Sequence, residues 1–171
     1  MKRNNKGFSL VEMIVIVAIL GILVGVFSTS IMPLLSQRAE RAAKSTNDLL
    51  SKCKVYSMSR AGEIYVRLRI EPYKKVNNII AEYYEGTTLI ESEILATGRT
   101  ILTVNGTALN TNSLWISFSR STGAIDVFGT QNSSTPPSGV SPLRIGFADG
   151  NKAFEVQIIP STGKHEVVRT L

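Results

Sequence analysis

Glu12 is the first residue whose chemistry makes a demand on its surroundings. It stands at the edge of a run from Met13 to Phe27 that holds no polar side chain, behind a basic start made of Lys2, Arg3 and Lys6. A carboxylate carried into lipid costs about 2.5 to 3.5 kcal/mol at the bilayer centre and less near the interface. Glu12 therefore either meets a cation supplied from outside its own chain or reaches back to the headgroup layer. In the first case two costly intramembrane charges become one contact.

The remaining reactive residue types form no constellation. The chain has one histidine, His165, and one cysteine, Cys53, and no His/Cys/carboxylate cluster at metal-ligand spacing, so neither a metal nor a cofactor is expected. Ser121 and Ser161 lie in turn sequences with no histidine placed to activate them. Gly21-Ile22-Leu23-Val24-Gly25 lies in the apolar run and lacks the strand and lysine of a phosphate loop. Its four-residue glycine spacing suits close approach of helices in lipid instead. The expectation is a protein that is not an enzyme and takes no small-molecule substrate.

Positioning Glu12 falls to a helix. With Ser28 to Met32 the apolar run reaches the roughly 20 residues that cross a bilayer. Pro33, lacking an amide hydrogen, is the expected kink. No Ala-x-Ala-like cleavage site closely follows the run, unlike an ordinary secretory signal. The basic leader is expected to stay cytoplasmic, with the rest of the chain outside.

Lys6-Gly7-Phe8-Ser9-Leu10-Val11-Glu12-Met13 resembles the leader and cleavage site of type IV pilins and of the pseudopilins of type II secretion and competence systems. The resemblance implies that a prepilin peptidase cuts after Gly7 and that the new terminal residue, Phe8, is N-methylated. It places the family's assembly glutamate on Glu12 and its helix-weakening residues on Gly21 and Pro33, the proline a little later than usual. The partners implied are other pilins or pseudopilins through the amino-terminal helix, the peptidase, an inner-membrane assembly platform and the lipid bilayer. The amino group freed on Phe8 would be the counter-charge for a neighbouring subunit's Glu12.

The chain has 171 residues, enough for this stem and one small domain. Its formal charge of +6 suggests nucleic acid, but Lys2, Arg3 and Lys6 would leave with the leader, and 16 basic side chains then face 13 acidic ones. A lone cysteine permits no internal disulfide, unlike many Gram-negative major pilins, which favours a pseudopilin, minor pilin or Gram-positive pilin.

Beyond Pro33, Leu35, Ala39, Ala42, Thr46, Leu49, Cys53 and Tyr56 recur at spacings of four and three, predicting a helix with one buried face that ends near Gly62. Glu63 to Glu71 alternates as a strand and Pro72 is expected to end it. Further strands are expected over 79–85, 88–95, 100–104, 114–119, 124–128, 143–148, 153–159 and 165–170, with Asn105-Gly106 as a hairpin turn. Residues 130–142, rich in Ser, Thr, Pro and Gly, read as a loop. The stretch 116–123 echoes 157–163 through a shared Ser-Thr-Gly turn, and this pair is similar to the head of GspH/FimT-like pseudopilins and minor pilins.

The expected architecture is α+β and pilin-like: a leader at 1–7, a transmembrane and assembly helix at 8–32, an amphipathic helix at 33–61 packed on an antiparallel β-sheet head, and that head at 62–171. A DNA-binding minor pilin of an uptake machine, or a major pilin, is the alternative. DNA is not favoured, because the basic residues, Arg67, Arg69, Lys74, Lys75 and Arg99 among them, form no block in the sequence and read as solvated surface.

Overall fold

The computed structural model describes residues 9–35, 37–74, 76–110, 112–132 and 134–170, and in 26–35 the backbone alone. It divides into two compact units, Met1–Leu35 and Ser36–Leu171.

The first unit is a helix, α1 (Leu10–Leu35). Its helical backbone runs through both Gly21 and Pro33. Among the described residues no helix is long and apolar enough to cross a membrane. The part of α1 whose side chains are described, residues 10–25, is shorter than the roughly 20 apolar residues a crossing needs. The span expected over 8–32 thus runs past the residues whose side chains are described.

The second unit is an α+β head. Helix α2 (Gln37–Ser59) precedes ten strands arranged in two five-stranded antiparallel sheets. One sheet contains β1 (Ile64–Tyr73), β2 (Val76–Glu85), β3 (Thr88–Gly98), β6 (Ser113–Phe118) and β7 (Ile125–Gly129), in the order β3-β2-β1-β6-β7. The other contains β4 (Ile101–Val104), β5 (Thr107–Ala108), β8 (Leu143–Asp149), β9 (Lys152–Ile159) and β10 (Lys164–Arg169), in the order β10-β9-β8-β4-β5.

Helix α2 packs against strands of both sheets. Its buried side carries Ala39, Ala42, Ala43, Thr46, Leu49, Leu50, Cys53 and Ser57. The small residues at its start let the sheets approach closely. Thr46, a poor helix former, is accommodated because its hydroxyl donates to the Ala42 carbonyl at 2.8 Å. From the sheets, Val66, Leu68, Ile116, Leu143, Ile145 and Phe147 have essentially no exposure and close the core. The helix stops at Ser59, short of the expected Gly62, with the Arg60 amide still donating to Tyr56 O at 2.9 Å.

Pro72 does not end β1. The strand continues to Tyr73, pairing Pro72 with Asn77 and Tyr73 with Val76. On its other side β1 pairs with β6 only from Val66 to Arg69, so that edge lies open beside Pro72, where a residue without an N–H is tolerated. Asn105, at φ 49°, and Gly106, at φ 81°, make the expected hairpin, but its second strand, β5, has only two residues. The echoed Ser-Thr-Gly turns do adopt one geometry. Gly123 and Gly163 lie at φ 68° and 60°, and Thr122 and Thr162 each accept the amide two residues on at 3.2 Å. The turns abut where the Ile125 amide donates to Pro160 O at 2.8 Å, tying one sheet to the other.

Candidate assembly site

Of the residues singled out at the amino terminus, Gly7 and Phe8 lie outside the described residues. Helix α1 opens immediately after them. Ser9 is its cap: its carbonyl accepts the Met13 amide at 3.1 Å and its hydroxyl accepts the Val11 amide at 3.3 Å. Counting from that cap, Glu12 is the third helical residue, so Ser9-Leu10-Val11-Glu12 has the Ser-x-x-Glu spacing of a capping box. A carboxylate here also meets the positive end of the helix dipole. The signal for this spacing, serine three residues before glutamate, was present in the sequence and went unread.

Around Glu12 the helix presents apolar surface on every side. Leu10, Val11, Ile14, Val17, Ile22 and Val24 are each more than half exposed. Among the described residues nothing stands within 4 Å of where a Cβ would sit on Gly21 or Gly25. A helix that is apolar all round is a helix for lipid or for other helices. The arrangement offers a carboxylate at the start of an uncovered apolar rod. Its chemistry is recognition by packing and charge.

The family model of the prokaryotic N-terminal methylation motif matches residues 2–28. The chain is type IV pilin-like at its amino terminus. Such a motif implies a membrane-anchored pilus subunit that is processed by a prepilin peptidase and assembles with other pilin subunits. The match takes in Gly7, Phe8, Glu12 and Gly21 and leaves Pro33 and the head outside it. No curated protein matches the chain, and no solved structure does.

In the head of this pilin-like chain the candidate residues serve structure. Cys53 is buried on α2, and that burial pushes its thiol up to about 12, the contact with Ser57 only partly opposing it. His165 is half-buried on the edge strand β10. Its Nδ1–H donates to Gly163 O at 2.9 Å, and its Nε2 lies 2.9 Å from the hydroxyl of Ser51 on α2. The histidine thus clasps helix to hairpin, a contact across 114 positions that no local signal announces.

Two arginines expected as solvated surface are bound instead. Arg67 and Arg69 converge on Glu82, Nε to carboxylate oxygen at 2.6 and 2.7 Å, and the Tyr84 hydroxyl donates to it at 3.1 Å. The register explains this, because Arg67 stands directly opposite Glu82 across β1 and β2. The Arg67 guanidinium lies 5.2 Å from the Tyr84 ring centre and 5.0 Å from that of Trp115. Burial raises the Glu82 pKa, but the hydrogen bonds from Arg69 and Arg67 outweigh it and hold the carboxyl below its ordinary value. Lys75 lies outside the described residues.

Among the described residues no three His, Cys, Asp or Glu side chains gather as a metal site. A cleft of about 360 Å³ is lined by residues that include Glu63, Tyr65, Ser117, Arg120 and Asp126, with no histidine or cysteine in its wall.

Proposed function

We propose that this protein is a minor pilin or pseudopilin of a type IV pilus or type II secretion-like filament. It is cut before Phe8, held in the cytoplasmic membrane by residues 8–32 with its head outside, and drawn into a filament through that helix. Its work is assembly, not catalysis. The observation that carries this reading is the methylation motif over residues 2–28 joined to a capped, uncovered apolar helix with a carboxylate in its first turn. The single cysteine and the paired Ser-Thr-Gly turns support the minor, GspH/FimT-like variety over an abundant subunit.

The charge and the cap make separable demands on Glu12. Glu12→Gln keeps a side chain that can serve the capping box and removes the charge, whereas Glu12→Ala removes both. Both variants are expected to be processed, each giving an intact mass that begins at methylated Phe8, and both are expected to be missing from sheared filaments. Normal incorporation of Glu12→Gln would show that the charge pair is not what assembles the subunit. Recovery of the parent only with its first seven residues attached would remove the reading itself.

A further inference from the structure

The head is electrically lopsided along α2. Its first turns carry Arg38, Arg41 and Lys44, all exposed. Arg38 donates to Thr97 O at 3.4 Å, which fixes the end of β3, and exposed Arg99 follows directly after it. The same end receives the β1–β2 turn, because Asn77 pairs with Gly98 and Tyr73 with Val76, and this turn brings Lys74. Lys152, opposite Asp149 at the β8–β9 turn, and Arg169, opposite Phe154, stand at the end of the other sheet, and both add to the lowering of the Glu40 carboxyl that the Lys44 hydrogen bond and charge begin. The carboxylates here are Glu40, engaged with Lys44 at 2.7 Å, Glu71, 3.5 Å from Arg69, and Asp149.

Apolar side chains project among these cations. Tyr73 is 57%, Ile101 54% and Val76 44% exposed, and the Lys74 ammonium sits 5.3 Å from the centre of the Tyr73 ring. The opposite end of the head, past the last turn of α2, is more nearly balanced, with Glu63, Glu85 and Asp126 standing among Lys54, Arg60, Arg120 and Lys164. Cations interleaved with a tyrosine and aliphatic tips suit a boundary where phosphates lie above hydrocarbon.

We infer that this end of the head is a docking surface for anionic lipid headgroups, with Tyr73, Val76 and Ile101 as its apolar tips. The inference rests on the proposed membrane anchoring of the preceding helix. Gln37 opens α2 two residues after Leu35 closes α1, at most about 7 Å of chain, so an anchored α1 keeps this end within reach of the bilayer surface. The subunit would wait flush on the membrane before assembly, and leaving it would break these contacts.

The test uses the full chain reconstituted in lipid nanodiscs, one set zwitterionic and one containing about a third anionic lipid. Backbone hydrogen exchange is followed over residues 71–78 and 98–103. Exchange there is expected to be about tenfold slower in anionic discs at low salt, and the difference to vanish at 0.5 M salt, where the Debye length is only about 4 Å. The triple variant Arg41→Glu, Lys44→Glu, Arg99→Glu should lose the difference while the core strands stay protected. Equal exchange in both discs, with the protein co-eluting with each, overturns the docking surface and leaves the anchor intact. Failure to co-elute with either disc overturns the anchor and the surface together. Lipid-independent exchange combined with DNA retardation that the triple variant abolishes would make the patch a nucleic-acid face, which also overturns the inference.

Discussion

At the scale of single residues, the head depends most on Glu82, a carboxylate that is 4% exposed and satisfied by two guanidinium groups and a phenol. Removing the charge leaves Arg67 and Arg69 without their counter-ion, but both are about a quarter exposed and regain water in part. Glu82→Gln is therefore expected to cost about 1 to 3 kcal/mol by urea unfolding at pH 7, below the range for a fully buried pair. Because the folded pKa is depressed, the pair's contribution is complete above the ordinary glutamate value of about 4.5 and fades as pH falls through the lower folded value. The parent should lose stability below pH 4.5 more steeply than the variant, and parallel acid limbs would show that Glu82 is not the titrating group. Sequence exposed the strand alternation that puts Arg67 and Arg69 on one face. It could not reveal their partner, because which residue of β2 stands opposite depends on the register set at the Tyr73–Val76 hairpin.

At the scale of elements, local signals were readable wherever the chain's own chemistry decides the geometry. The three-and-four spacing from Ala39 to Cys53 gave the buried face of α2, and Gly86, Gly106, Gly150 and Gly163 mark turns at positive φ. Pro72 misled because its effect depends on whether a neighbouring strand needs its N–H, and here none does. β5 escaped notice because two residues show no periodicity. The turns also differ in what surrounds them. Gly163 lies at φ 60° with its would-be Cβ 2.9 Å from the Phe118 ring, whereas Gly150 lies at φ 61° with nothing within 4 Å. Gly150→Ala should thus cost only the left-handed backbone penalty, about 1 to 2 kcal/mol. Gly163→Ala adds a collision at the junction of the two sheets and should cost at least about 3 kcal/mol. Comparable melting temperatures for the two variants would mean that the junction is not rigid.

For the molecule as a whole, the division at Leu35 separates two kinds of stability. The second unit buries Leu50, Leu68, Ile116, Phe147 and Ile158 between one helix and two sheets and has a core of its own, while the described side chains of the first unit are exposed throughout. A helix without a core has no cooperative unfolding of its own in water, and its order comes from whatever surrounds it. The buried stripe of α2 predicts a helix lying on the head, although the head itself is expected to begin only at 62; the core includes α2, since tertiary burial and not chain order decides what unfolds together. The expected outcome is that a fragment of residues 36–171 melts in a single transition within about 3 °C of the head in the detergent-solubilised full chain, a shift under roughly 1 kcal/mol at this size. Cutting instead at residue 62, where the head was expected to begin, should abolish the transition, because it strips Ala39, Ala42, Ala43, Leu49, Leu50 and Cys53 from between the sheets. A cooperative melt from the 62–171 fragment would mean that the two sheets hold each other without α2, and that the helix is cargo on the head instead of its centre.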